Sequence, residues 1–124
     1  MPWKHILAVG AGGALGSIAR FLCQKYITEG YPHGFPFGTF LVNIAGCFLI
    51  GLFFGLVERG SLLNAEWRLF LITGICGGFT TFSTFAAENI QLLKDGQITY
   101  FSLYTAGSVV LGILATWLGI VIGR

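Results

Sequence analysis

The sequence predicts an all-α integral membrane protein, one domain over residues 1–124, with four transmembrane helices of which the third is broken near its middle. Three observations lead there. Only 10% of the residues are charged while 55% are hydrophobic, and there are 19 glycines, far from the balance of a soluble domain. Residues 37–57, 69–87 and 98–122 contain no Asp, Glu, Lys or Arg, and each run reaches the roughly 18–20 residues that cross a ~30 Å hydrocarbon core. The second of these runs, in the third span, closes on GGFTTFSTFAAE (77–88), with two glycines and four hydroxyls where a span should be plainest.

The first span is read at about residues 6–27, with Arg20, Gln24 and Lys25 in its last third. A secretory signal competes for this stretch. Against it, the apolar region is diluted by Gly10, Gly12, Gly13 and Gly16 and has no tidy small-x-small cleavage site before Arg20. KHILAVGAGGALGSIARFL also resembles a strand, a glycine-rich turn and a helix with Glu29 downstream, as in a dinucleotide fold. That fold requires alternating strands and amphipathic helices afterwards, and the chain supplies uncharged membrane-length runs instead. The glycines are better explained by close helix packing, since Gly12 and Gly16, Gly51 and Gly55, and Gly119 and Gly123 are small-x-x-x-small pairs. Arg20 lies about 21 Å along the helix from Ile6. Two readings of it stand open: a head group snorkelling to the interface, or a positive charge in an aqueous vestibule.

Span 2, residues 37–57, carries Asn43 with Thr39 four residues earlier on the same face. An amide in a membrane helix either glues helices together or donates its N–H groups to an anion, and both readings are kept. Span 3, residues 67–93, is expected to break near 76–80, because Gly74, Gly77 and Gly78 lower helix propensity and Thr80, Thr81, Ser83 and Thr84 can re-satisfy freed backbone groups. Such breaks either kink the helix or turn carbonyls toward a cation. Phe79, Phe82 and Phe85 recur every three residues, and ring edges can face a small anion without carrying full charge. In span 4, residues 98–122, Tyr100, Tyr104 and Ser108 place hydroxyls on one face, and Gly112 continues the track without a side chain.

The net charge of +2 provides no basic stripe for nucleic acid. Four spans put Lys4, Arg59, Arg68 and Arg124 on one side, against Lys25, Lys94 and Arg20 on the other. So small an asymmetry sets no orientation, and dual topology with an antiparallel homodimer follows as an expectation. Cys23, Cys47 and Cys76 lie inside spans without metal-ligand spacing, and His5 and His33 stand alone near the interfaces.

GTFLVNIAG around Asn43, GGFTTFSTF in span 3 and GGALGSIAR near the N-terminus together resemble the small fluoride channels of the Fluc/CrcB type. The resemblance covers all four spans. It implies a passive fluoride channel rather than an enzyme, an antiparallel dual-topology homodimer with two pores, and relief of fluoride toxicity in microbes. A single-chain dual-topology design suits a prokaryotic inner membrane. By the same resemblance, Phe82 and Phe85 contact the anion, Asn43 is the pore asparagine, and the carbonyls of Gly77 and Thr80 from both subunits hold a structural Na+. Thr39, Glu88, Tyr104 and Ser108 join the polar pathway, with Arg20 at a vestibule. Phe21 stands where related chains often carry tyrosine.

Two other classes are weighed. A proton-coupled exporter of small cations would share the four-span, dual-topology design, but needs an acid in a span interior; here Glu88 is read at the end of span 3. A non-transporting assembly subunit would use the polar residues for packing alone.

Overall fold

The computed structural model describes residues 2–30, 34–61 and 64–124; His33, read above as an isolated histidine, lies outside them. Helices α1 (Pro2–Gly30) and α2 (Phe37–Glu58), a third span (Ala65–Lys94) and a final helix, α5 (Ile98–Gly123), are each long and apolar enough to cross a membrane. The third span is two helices, α3 (residues 65–79) and α4 (Phe82–Lys94), joined by the extended residues Thr80 and Thr81. Helix α1 exceeds the expected 6–27 at both ends, and at about 1.5 Å per residue its 29 residues are longer than the hydrocarbon core is thick. Helix α3 starts under an Asn64 cap that accepts from the Glu66 and Trp67 N–H groups, then widens into a π-helix over Leu69–Cys76. Nothing in the residue pattern announces that wider winding.

Helix α2 packs most extensively on α5, and α1 on α3. The glycine pairs make both seams. A Cβ at Gly12 or Gly16 would collide with the Phe70 or Ile75 carbonyl, and one at Gly51 or Gly55 with the Thr116 or Ile120 carbonyl. From the other side, Gly119 and Gly123 sit against the Phe48 and Leu52 carbonyls. Backbone therefore meets backbone, as small-residue membrane seams require. His5 Nε2 lies 3.9 Å from Glu66 Oε1, and the Arg124 amide nitrogen lies against Gly55. Both chain termini thus lie at the end of the bundle where α2 finishes and α3 begins.

The break differs in detail from the expectation. Gly77 is helical, with φ −63° and ψ −38°, and the extended residues come after the glycines, Thr80 at φ −87°, ψ 156° and Thr81 at φ −148°, ψ 117°. Gly78 serves contact instead: a Cβ there would lie 2.6 Å from the Gly13 carbonyl oxygen of α1. Helix propensity separates threonine from alanine by only about 0.7 kcal/mol, against several kcal/mol for each orphaned peptide group in lipid. The break therefore has to be held by replacement hydrogen bonds, not by weak propensity.

Few side chains are buried. Val42, Cys76, Leu92 and Tyr104 are the buried apolar residues among those described, while Ile6, Leu15, Ile18, Val110, Ile113 and Leu114 face outward. In water that surface would be untenable, but in a bilayer it is the solvent-matched face.

The seams give a paired expectation for thermal unfolding in detergent. Gly51→Val should destabilise the bundle by about 1–3 kcal/mol or more through overpacking. Gly10→Ala, at a helical position with nothing within 4 Å of a new Cβ, should be neutral or stabilising by up to about 1 kcal/mol. Equal melting of the two variants would contradict the seam.

Candidate functional site

Asn43 holds the break from the neighbouring helix. Its Nδ2 donates to the Thr81 carbonyl at 3.0 Å, and its Oδ1 accepts from the Thr81 N–H at 2.8 Å. The amide thus satisfies both polar groups of one extended residue, which no helix can do at that point. In an unbroken helix the Thr81 N–H would bond the Gly77 carbonyl, so that carbonyl has lost its helical donor to Asn43. The Thr84 N–H likewise goes to Thr81 Oγ1 at 3.2 Å instead of to the Thr80 carbonyl. Thr80 turns its own hydroxyl back to the Cys76 carbonyl at 3.0 Å.

Arg20 takes up another freed group, its Nε–H donating to the Gly78 carbonyl at 2.9 Å. Neither reading left open for Arg20 placed its head group on the break itself. A cation at the C-terminal end of α3 also complements the partial negative charge of that helix end. Asn43 is the helix glue foreseen as one of its two readings, and only one of its two amide hydrogens is used in the clasp.

Two cavities flank the break. The first, about 340 Å³, is lined by Asn43, Gly77, Thr80, Phe82, Phe85 and Ser108 among others. The Phe82 and Phe85 ring centroids are 5.7 Å apart with planes inclined by 45°. Phe82 is 78% exposed, so this wall is open to the outside of a single chain. The Ser108 hydroxyl is buried and has no hydrogen-bond partner among the described residues, an orphan polar atom costly to leave unmatched in such surroundings. The second cavity, about 460 Å³, is more polar and includes Gln24, Lys25, Glu29, Thr39, Thr84 and Glu88.

Tyr104 joins the two. It is fully buried, its ring lies 4.9 Å from that of Phe85, and its hydroxyl donates to Glu88 Oε1 at 2.8 Å. Phe35 covers it from the α1–α2 connection at 5.6 Å, ring edge to face. Glu88 is in the middle of α4, half-buried, and not at the end of the span where the sequence reading put it. The eight pathway residues therefore fall into one arrangement: Asn43, Phe82, Phe85 and Ser108 on the first cavity, Thr39 and Glu88 on the second, Tyr104 between them and Arg20 on the break. Thr81, expected only to offer its hydroxyl to freed backbone groups, does so and is also clasped by Asn43 through its backbone, and Gln24 was missed as a site residue. Gln24 donates to Thr39 Oγ1 at 2.9 Å, and the reasoning that flagged Asn43, an amide in an apolar span, could have found it. No group of three or more His, Cys, Asp or Glu among the described residues could hold a metal.

Residues 7–120 match the family described as CrcB-like protein, Camphor Resistance (CrcB). Curated relatives cover almost the whole chain. One from Flavobacterium psychrophilum, named fluoride-specific ion channel FluC, is 49% identical over 121 residues, 98% of each chain. A protein of the same name from Chlorobium luteolum is 50% identical over 119 residues, covering 96% of this chain and 92% of its own. Another from Aquifex aeolicus is 45% identical over 119 residues, 96% of each chain.

The clasp predicts a specific loss. Asn43→Ala should unpair both polar groups of Thr81, lowering thermal stability by about 1–3 kcal/mol per group and speeding hydrogen exchange at the Thr81 amide. Asn43→Asp keeps the acceptor but loses the donor, and should fall between. An alanine variant with wild-type melting and exchange would remove the clasp from the account.

Proposed function

The chain belongs to the CrcB-like family, and from that membership we propose how its site conducts fluoride. It is a fluoride ion channel, a multi-pass protein of a prokaryotic membrane and not an enzyme. The observation that carries the mechanism is the convergence on one cavity of Asn43, two phenyl rings and the unpartnered Ser108 hydroxyl.

Fluoride is small, hard and strongly hydrated, so it leaves water only for groups that replace its hydrogen bonds. The free amide hydrogen of Asn43 and the Ser108 O–H offer two such donors. Phe82 and Phe85 add the positive edges of their rings. None carries a full charge, and such weak, distributed ligation lets an ion enter and also leave. From the first cavity the ion passes Tyr104 toward Thr39 and Glu88, while Arg20, fixed at the break, makes the local potential favourable to an anion. The Tyr104 hydroxyl proton is directed at Glu88, so a passing fluoride competes with the carboxylate for it. Passive flow down a gradient would then carry fluoride out of a loaded cytoplasm.

A single chain leaves Phe82 and Gly77 on an open face. A second copy in antiparallel orientation would close that wall, giving a homodimer with two pores. The carbonyls of Gly77 and Thr80, whose helical donors are diverted to Asn43 and Thr81 Oγ1, fit a hard cation. A structural Na+ held by them and their symmetry mates would supply the missing positive partner. Gly77 has no atom within 4 Å of where its Cβ would stand, which leaves room for that approach. The proton-coupled cation exporter has one feature in its favour, the half-buried Glu88. Relatives at 45–50% identity over nearly the whole chain are named for fluoride, and that decides for the anion.

The flux assay uses proteoliposomes loaded with fluoride or chloride. Wild-type protein should release fluoride and retain chloride, and no fluoride release beyond empty liposomes, from monodisperse protein, would sink the channel. Phe82→Ile and Phe85→Ile should each slow fluoride release by about tenfold or more if an edge contact supplies ~1.4 kcal/mol; unchanged rates in both would remove the rings from the path. Replacing all Na+ by a large organic cation should weaken the dimer or stop release. Indifference to that replacement would dispose of the carbonyl site.

A further inference from the structure

Gln24 is the amide that the pathway described so far does not use. It stands on α1, four residues beyond Arg20, and its Nε2 donates to Thr39 Oγ1 of α2 at 2.9 Å. Thr39 is buried. Tyr104 of α5 donates to Glu88 of α4 at 2.8 Å. Two hydrogen-bonded pairs therefore draw a side chain from each of the four spans, Gln24 with Thr39 and Tyr104 with Glu88.

Glu88, as a carboxylate, only accepts, and the Gln24 N–H only donates. The Tyr104 proton is directed at Glu88. The Gln24 amide hydrogen fills one of the acceptor positions of the Thr39 hydroxyl. The threonine's own O–H is left to act as a donor. Gln24, Thr39 and Glu88 all line the polar cavity of about 460 Å³, so that donor stands where an anion leaving Tyr104 arrives.

We propose that Gln24 is a further residue of the fluoride path, a positioning residue that holds the Thr39 hydroxyl as a donor toward the ion. The assignment rests on the fluoride-channel reading, and wild-type release tests that reading separately. Gln24→Met keeps the length of the side chain without the donor, and Gln24→Glu keeps its shape and replaces the donor by an acceptor. Both should slow fluoride release roughly 2- to 10-fold, the worth of one hydrogen bond, with elution as monodisperse protein.

The decisive readout is coupling. In a Thr39→Ser background, which keeps the hydroxyl, Gln24→Met should slow release by the same factor. In a Thr39→Val background it should add nothing, with release followed long enough to resolve a rate just above the leak of empty liposomes. A packing role would slow both backgrounds alike, and that result overturns the proposal. Wild-type rates in both Gln24 variants overturn it as well, as does loss of the Gln24 effect in the Thr39→Ser background.

Discussion

The structure depends on one side chain closing both polar groups of one residue. In hydrocarbon a peptide group without a partner costs several kcal/mol, so a span can leave the helical path only where something else supplies the missing bonds. Asn43 supplies them to Thr81 from the adjacent helix, at 2.8 and 3.0 Å. Thr80 and Thr81 turn their hydroxyls to the backbone on either side of the gap, and Arg20 takes the Gly78 carbonyl. The defect is thus neutralised from three helices. The carbonyls of Gly77 and Thr80 have lost their helical donors to Asn43 and Thr81 Oγ1, which is why they are the ones proposed for a cation.

Such a clasp needs very close helices. Gly46 lies three residues after Asn43 on α2, and a Cβ there would collide with the Thr80 methyl. The seam between α1 and α3 is equally tight: Gly78 sits against the Gly13 carbonyl oxygen, two turns beyond where Gly12 meets Phe70. The glycines therefore act before the polar chemistry does. They bring backbones near enough that a short amide and an arginine side chain reach across. Packing of small residues and hydrogen bonding at the break are one arrangement, and neither would hold without the other.

Tyr104 divides the groups of the proposed pathway by chemistry. On one side of it are ring edges, an amide and an unpartnered hydroxyl; on the other are Thr39, Gln24 and the Glu88 carboxylate. Its ring packs on Phe85 and its hydroxyl bonds Glu88, so one residue contacts both environments. Phe35 packs on that same ring from the loop before α2. On the proposed path, an anion moving along this line would exchange neutral donors for a site where a carboxylate competes for the same proton. Weak binding at each step favours passage over capture.

By itself the sequence determined the four spans, the glycine seams and the presence of a defect in the third. Those follow from local free energies: the transfer of uncharged runs into lipid, the small volume of glycine, and a cluster of hydroxyls that a plain span does not need. The Asn43, Phe82 and Ser108 positions were legible for the same reason, as polar or periodic residues in apolar runs, and their association with fluoride came from motif likeness. Tertiary structure alone decided that the glycines stay helical while Thr80 and Thr81 are extended, that Asn43 reaches Thr81 across 38 residues of chain, and that Arg20 lies on the break. It also decided that Glu88 is paired in mid-helix and that Gln24 donates to Thr39. The physical reason is that a hydrogen bond's partner is chosen by which helix packs where. That choice depends on the joint fit of four helices, and no stretch of sequence carries it alone.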